Sequence, residues 1–244
     1  MKKFLIFITV LCCVLNVGAR TFVLITGVSN YQDSQVNLGQ TTKDAKEFMK
    51  VMETQTKDIT LLTSRYANKE NILSKLRAIC NRAEEGDRII FFYSGHGMRG
   101  GMYVFDGTIY YDELLDVLSQ SRAKEKICFV DACHAGSLEN EISKQKGNEL
   151  WIKNVTNKPG TAFFVACRGD EYSVESIRLG AGYFTQALIK GMRGKADDNQ
   201  NREITIMELF KYIYKDVTTR TKKKQHPQLI APREMYGNVV TKWE

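Results

Sequence analysis

The sequence predicts an α/β architecture, a mostly parallel sheet with helices on both faces, and three observations point to it. Short runs of β-branched and aromatic residues alternate with stretches of helical period from Thr21 to Val217. Each strand run is nearly continuous in apolar residues, as strands covered on both faces are. The polar residues with chemical potential gather just past the ends of two such runs, the functional edge of a parallel sheet.

Taken in order, Thr21-Phe22-Val23-Leu24-Ile25-Thr26 reads as a buried strand. Ala45, Phe48, Met49 and Met52 follow the i, i+3, i+4, i+7 spacing of an amphipathic helix. Asp58 to Thr63 is a second strand. Ile72, Leu73, Leu76, Ile79, Cys80 and Ala83 share one helical face, with Asn68 placed to cap that helix. Gly86-Asp87 breaks the chain before a third strand, Arg88 to Tyr93, the most β-prone run present. Met102 to Phe105 suits a hairpin arm, Leu114, Leu115 and Leu118 mark a helix, and Lys126 to Val130 is a fourth strand. Leu138 to Gly160 has few apolar residues and no period, so it reads as a long exposed loop; its four lysines make it a candidate for self-cleavage. Thr161 to Ala166 is a fifth strand. Phe184, Ala187 and Leu188 define one further helix, and Met207, Phe210, Ile213, Tyr214 and Val217 the last.

Residues 1–19 have the order of a secretory signal: Met1-Lys2-Lys3, an apolar run from Phe4 to Val17, then Gly18-Ala19 as small residues before a cleavage point. About 14 apolar residues are too few for a stable membrane span. Cys12 and Cys13 lack the small neighbours of a lipid-attachment site. The expectation is export with cleavage after Ala19, leaving one domain over residues 20–244. Loss of Lys2 and Lys3 lowers the formal charge from +7 to +5. Part of that excess lies in the basic stretch Arg220 to Lys224, a solvated helix end rather than a nucleic-acid surface in an exported protein.

Four of the six cysteines lie beyond residue 19. Cys80, Cys128 and Cys167 sit in apolar runs and read as small buried hydrophobes; their spacing fits neither a disulfide framework nor a metal site. Cys133 differs. The third strand leads into Ser94-Gly95-His96-Gly97 and the fourth into Asp131-Ala132-Cys133-His134-Ala135-Gly136, so a histidine and a cysteine end neighbouring strands. Amide hydrolysis by a thiol needs a sulfur nucleophile, an imidazole to move the proton and backbone donors for the oxyanion. Cys133 and His96 fill the first two roles, in glycine-bracketed turns, and the N–H groups of Gly97 and Cys133 the third. Zinc held by His96, Cys133 and His134 lacks a fourth ligand at suitable spacing. A thiol redox role lacks a paired cysteine.

Tyr93 to Gly97 and Asp131 to Gly136 resemble the histidine and cysteine motifs of the caspase/metacaspase family. Leu38 to Ala45 is similar to that family's segment before its first helix. Gly182-Tyr183-Phe184-Thr185-Gln186-Ala187-Leu188 is similar to its Gly-aromatic-Phe-Thr-x-Ala-Leu helix, and Gln225-His226-Pro227-Gln228 to its closing Gln-x-Pro-Gln. The resemblance spans about Phe22 to Gly237. It implies a caspase-type three-layer sandwich, a Cys–His dyad and endopeptidase activity without a cofactor. Asp131 and His134-Ala135 depart from the caspase pattern and favour the metacaspase-like branch. The short acid-poor stretch from Gly97 to Asp112, with Asp106 and Asp112 alone, implies that the branch's calcium site is missing. The rival of another class is a binding module that keeps the fold without the reaction.

Asp131 stands two residues before Cys133. An unpaired carboxylate in a desolvated pocket favours a substrate cation, which predicts protein or peptide substrates with Lys or Arg on the acyl side of the cleaved bond. Ser94 adds a neutral hydrogen bond. Two readings stand for Asp44: by analogy with the family it joins Asp131 in the pocket, or it caps the first helix through Thr41-x-x-Asp44. Likewise Asp197 to Glu208 places oxygen ligands as a calcium loop does but has Arg202 where glycine is needed, and Thr205-x-x-Glu208 makes a capping box instead.

Overall fold

The computed structural model describes residues 18–98, 100–134, 152–156, 158–167 and 182–243, with the backbone alone for Cys133 and His134. Most of the expected loop, including Lys144 and Lys146, lies outside these residues, and with it most of the segment expected to be self-cleaved.

Five strands pair in parallel in the order β2 (Ile59–Thr63), β1 (Thr21–Gly27), β3 (Arg88–Met98), β6 (Glu125–His134) and β7 (Thr161–Val165). β4 (Gly101–Val104), the hairpin arm expected at Met102 to Phe105, pairs with β5 (Gly107–Tyr110) off the end of β3, whereas β9 (Gln228–Ile230), which closes the far edge antiparallel to β7, was not expected. A separate ribbon pairs β8 (Glu203–Thr205) with β10 (Val239–Lys242).

The strands alternate inward residues between two cores, which is why their sequences show no polar face. Phe22, Leu24, Phe91, Tyr93, Cys128 and Phe163 meet α2 (Lys69–Arg82) and α3 (Tyr111–Ser119) on one side. Val23, Ile25, Phe92, Phe129 and Phe164 meet α1 (Thr41–Met52), α5 (Tyr183–Lys190) and α6 (Ile206–Arg220) on the other. The result is the expected three-layer sandwich. Asn68 caps α2, its side chain accepting from Asn71 N at 2.8 Å.

Some expectations need correcting. The segment read as an exposed loop contains a short helix, α4 at 152–156, which seats Val155 fully in the core. Lone apolar residues gave no period there, so one buried valine was indistinguishable from loop. The buried stripe of α6 is Ile206, Leu209, Ile213 and Val217, with Tyr214 38 % exposed. Aromatic size had drawn the predicted face around the helix. Cys80, Cys128 and Cys167 are buried free thiols, as expected.

Candidate active site

Parallel β3 and β6 stay in register through Gly97 and His134, pairing Ser94 with Asp131, Gly95 with Ala132, His96 with Cys133 and Gly97 with His134. Neighbouring strands lie about 4.8 Å apart, so the backbones of His96 and Cys133 are adjacent. The glycines beside His96 do not make a turn, contrary to the sequence expectation: β3 runs on through Met98, where it turns back against β4. Gly95 instead permits a close approach. A Cβ there would lie 2.3 Å from the Tyr93 hydroxyl and 3.0 Å from that of Tyr31. Those two hydroxyls grip the His96 backbone, Tyr31 accepting from His96 N at 2.8 Å and Tyr93 donating toward His96 O at 2.7 Å. The Tyr93 hydroxyl also meets the Tyr103 carbonyl, tying β3 to its hairpin.

The imidazole is oriented by a residue that no sequence pattern singles out. His96 Nε2 lies 2.7 Å from the carbonyl oxygen of Val36. A carbonyl only accepts, so Nε2 carries the hydrogen and Nδ1 is the nitrogen left to exchange a proton. Val36 is fixed in turn by its own loop: Asp33 caps the short turn Ser34–Val36, Tyr31 N donates to Asn37 Oδ1 at 2.8 Å, and Leu38 N donates to Ser29 O. The Tyr31 ring packs against the imidazole, centroids 5.0 Å apart.

Close to this pair in the two strands lies a pair of buried carboxylates. Asp131 is 7 % exposed and Asp44 4 %. Ser94 Oγ donates to Asp44 Oδ2 at 3.4 Å. The three residues expected in one pocket are therefore brought together from β6, α1 and β3. The capping alternative for Asp44 does not hold, because Gln40 is the N-cap of α1 and Asp44 lies within the first turn. Nor is Asp131 unpaired. Thr185 donates to its Oδ2 twice, from Oγ1 at 2.6 Å and from N at 3.1 Å. Asp131 thus sits on the amino-terminal end of α5, whose partial positive charge favours a carboxylate. Gly182, the N-cap of α5, must be glycine for this approach: a Cβ would lie 2.4 Å from Asp131 Oδ2.

Two buried carboxylates so close cannot both ionise freely. Burial raises the Asp44 carboxyl to about 7, and the charge of Asp131 pushes the same way; the Gly182 N–H, the Ser94 hydroxyl and Lys43 oppose this less strongly.

The side chains of the calcium-like loop bond to one another and to the loop's own backbone. Asp197 accepts from the N–H groups of Asn201 and Arg202, and Asn199 donates to Glu208 at 2.7 Å. Glu208 Oε2 completes the capping box with Thr205 N and Oγ1. Among the described residues no three metal-ligating side chains converge, and no helix is long and apolar enough to cross a membrane.

A probable protease from a Desulfuromonadales bacterium is 26 % identical over 204 residues, which is 70 % of this chain and 24 % of that protein. The paracaspase of Dictyostelium discoideum is 26 % identical over 137 residues, 52 % of this chain and 32 % of that protein. The chain thus spans a third or less of these curated relatives. Among solved structures, a Geobacter sulfurreducens protein superposes with TM-score 0.67 at 16 % identity, covering 92 % of this chain and all of its own. Caspase-1 of Spodoptera frugiperda gives 0.66 at 16 % identity, covering 91 % and 89 %. At such identities the superpositions speak for the fold. The caspase-domain family model matches residues 20–235, and the chain belongs to that family of cysteine peptidases.

Proposed function

We propose that this chain is a cysteine endopeptidase in which Cys133 is the nucleophile, His96 its acid/base partner, and Asp131, Asp44 and Ser94 the pocket for a Lys or Arg side chain. The observation that carries this reading is the register pairing of His96 with Cys133 at the carboxyl ends of β3 and β6, beside two buried carboxylates. The Cys133 thiol passes its proton to His96 Nδ1 as sulfur bonds to the scissile carbonyl carbon. The N–H groups of Gly97 and Cys133 receive the oxyanion. Collapse breaks the C–N bond, and the leaving amine takes the proton from His96. Water, deprotonated by His96, then hydrolyses the thioester and returns the thiol.

The names of the relatives, a probable protease and a paracaspase, support the same chemistry. Residues 1–19 fit an export signal, and β1 begins at Thr21, so cleavage after Ala19 would leave the sheet whole. The protein would then act outside the compartment of its synthesis on protein or peptide substrates.

Profiling of cleavage sites with the purified protein, against Cys133→Ala as control, tests the proposal. Cuts following Lys or Arg that vanish in the control are expected. A wild-type protein that cuts after Asp, ignores Lys and Arg, or fails to react at Cys133 with a thiol-directed peptidyl electrophile would overturn it.

A further inference from the structure

The two buried carboxylates, Asp44 and Asp131, are held unequally. Asp131 Oδ2 receives both the hydroxyl and the amide of Thr185, the third residue of α5, and Thr185 is completely buried. Asp44 receives the weaker 3.4 Å contact of Ser94 and the N–H of Gly182. A hydroxyl that donates to Asp131 at 2.6 Å favours the ionised form of that carboxylate, as does the end of the helix behind it. Thr185 belongs to α5, away from the two strand ends that carry the dyad.

Resting on the pocket reading above, we propose that Thr185 is a positioning residue for substrate specificity: it keeps the negative charge on Asp131 and leaves Asp44 as the carboxyl that releases a proton when a substrate cation enters. Among the described residues, the charged and titratable groups facing Asp44 are Asp131 from β6 and Lys43 from α1, with Ser94 from β3 and the Gly182 N–H from α5 as neutral donors. With Asp131 anchored, the single proton shared by the pair resides on Asp44, whose carboxyl is raised to about 7. A Lys or Arg side chain bound between the two stabilises both anions, so the Asp44 proton leaves to solvent. Binding of basic substrates therefore tightens as pH rises through the neutral range, while substrates with a neutral side chain at that position are little affected.

Removing the Thr185 hydroxyl while keeping its shape makes Asp131 a second seat for the proton. In Thr185→Val the KM for Lys and Arg peptides should rise about tenfold or more. The effect should fall on KM rather than kcat, and the pH at which KM improves should move upward. Thr185→Ser should restore both the KM and its pH profile. The complementary measurement needs no turnover: carbon-13 NMR of the aspartate carboxyls in the Cys133→Ala protein, titrated with and without a Lys-terminated peptide. It should record Asp44 titrating near neutrality, losing its proton on peptide addition, and Asp131 ionised well below that.

A wild-type enzyme without preference for Lys or Arg overturns the pocket reading and this inference with it. A wild-type enzyme with that preference, whose Val variant keeps the parental KM and pH profile, overturns the role of Thr185 alone. So does an NMR titration in which Asp131 holds the proton, even where the Val variant folds poorly.

Discussion

His96 and Cys133 are register partners across parallel β3 and β6 although 37 positions separate them in the chain. Parallel pairing carried past the apolar runs as far as Gly97 and His134 is what delivers a histidine and a cysteine to one edge. If they act as a unit, Cys133→Ala should abolish peptide cleavage and His96→Ala should lower kcat by roughly three orders of magnitude or more. Both variants should keep the thermal transition of the parent. Steady-state kinetics with a Lys or Arg peptide, beside a melting curve, checks this; substantial turnover in either variant would refute the dyad.

Asp44 makes a stability prediction with a definite sign. Its carboxyl is raised in the folded protein from 3.8 to about 7. Between those values the unfolded chain has lost a proton that the folded one retains, so this residue lowers stability as pH rises through that window. Asp44→Asn removes the penalty. The variant should gain in Tm relative to the parent at pH 8 and show little gain at pH 4, while losing affinity for basic peptides. A gain that is equal at both pH values would count against the raised carboxyl.

The sandwich was legible because strands buried on both faces carry unbroken apolar runs, as Ile89 to Tyr93 does. The two candidate dyad residues were legible because His96 and Cys133 each stand three positions past the end of such a run. What supports them was not. Val36 acts through a backbone carbonyl, which no side-chain pattern reveals, and Tyr31 through a long-range contact to His96 N. Thr185 meets Asp131 from 54 positions away, so the sequence left that carboxylate unpaired. The Gly182-x-x-Thr185 spacing was the available signal: it places an N-cap glycine and an N3 hydroxyl at one helix start. The glycine at 95 was visible too, but as a hinge; only the Tyr93 and Tyr31 hydroxyls explain it as a space for contact.

Activity should survive chelation. The two acids that follow His96 are engaged in the fold: Asp106 accepts from Lys69 N at 2.8 Å at the start of α2, and Asp112 accepts from Asn154 Nδ2 at 3.2 Å, joining α3 to α4. Withdrawing them to bind calcium would loosen both helices. Peptidase assays in excess chelator should match untreated controls within about twofold; complete loss restored by calcium would refute this.

Asp87 should be a pH-dependent anchor for the start of the domain. It accepts from Arg20 N at 2.8 Å, the Arg20 guanidinium at 3.0 Å and Glu84 N at 2.9 Å. Burial alone would raise its carboxyl, but these donors outweigh burial and hold it below the usual range. Its contribution is therefore complete above the unfolded value of 3.8 and fades as pH falls through the lower folded value. Asp87→Asn should lower stability by about 1–3 kcal/mol at neutral pH, and the difference should shrink in acid. Processing after Ala19 would replace the Arg20 amide donor by an ammonium, so a chain starting at Arg20 should depend on Asp87 more than one starting at Gly18. Denaturation of the four proteins across pH 3 to 8 measures both effects, and a deficit independent of pH would contradict the charge-based account.

Gly182 offers the sharpest steric test of the pocket. A methyl group there would sit 2.4 Å from Asp131 Oδ2 and 3.1 Å from its Cγ, so either the carboxylate or the first turn of α5 must move. Both displacements weaken the two Thr185 bonds and the Gly182 contact to Asp44. Gly182→Ala should therefore lower kcat/KM for Lys and Arg peptides by about tenfold or more, while substrates with a neutral residue at that position lose much less. Gly39→Ala is the matched control, since a Cβ at Gly39 meets nothing within 4 Å; it should leave that ratio unchanged. The ratio of kcat/KM values removes any general loss of folded enzyme, which would lower both alike. If Gly182→Ala reduces basic and neutral substrates to the same extent, the pair Asp131 and Asp44 does not set specificity.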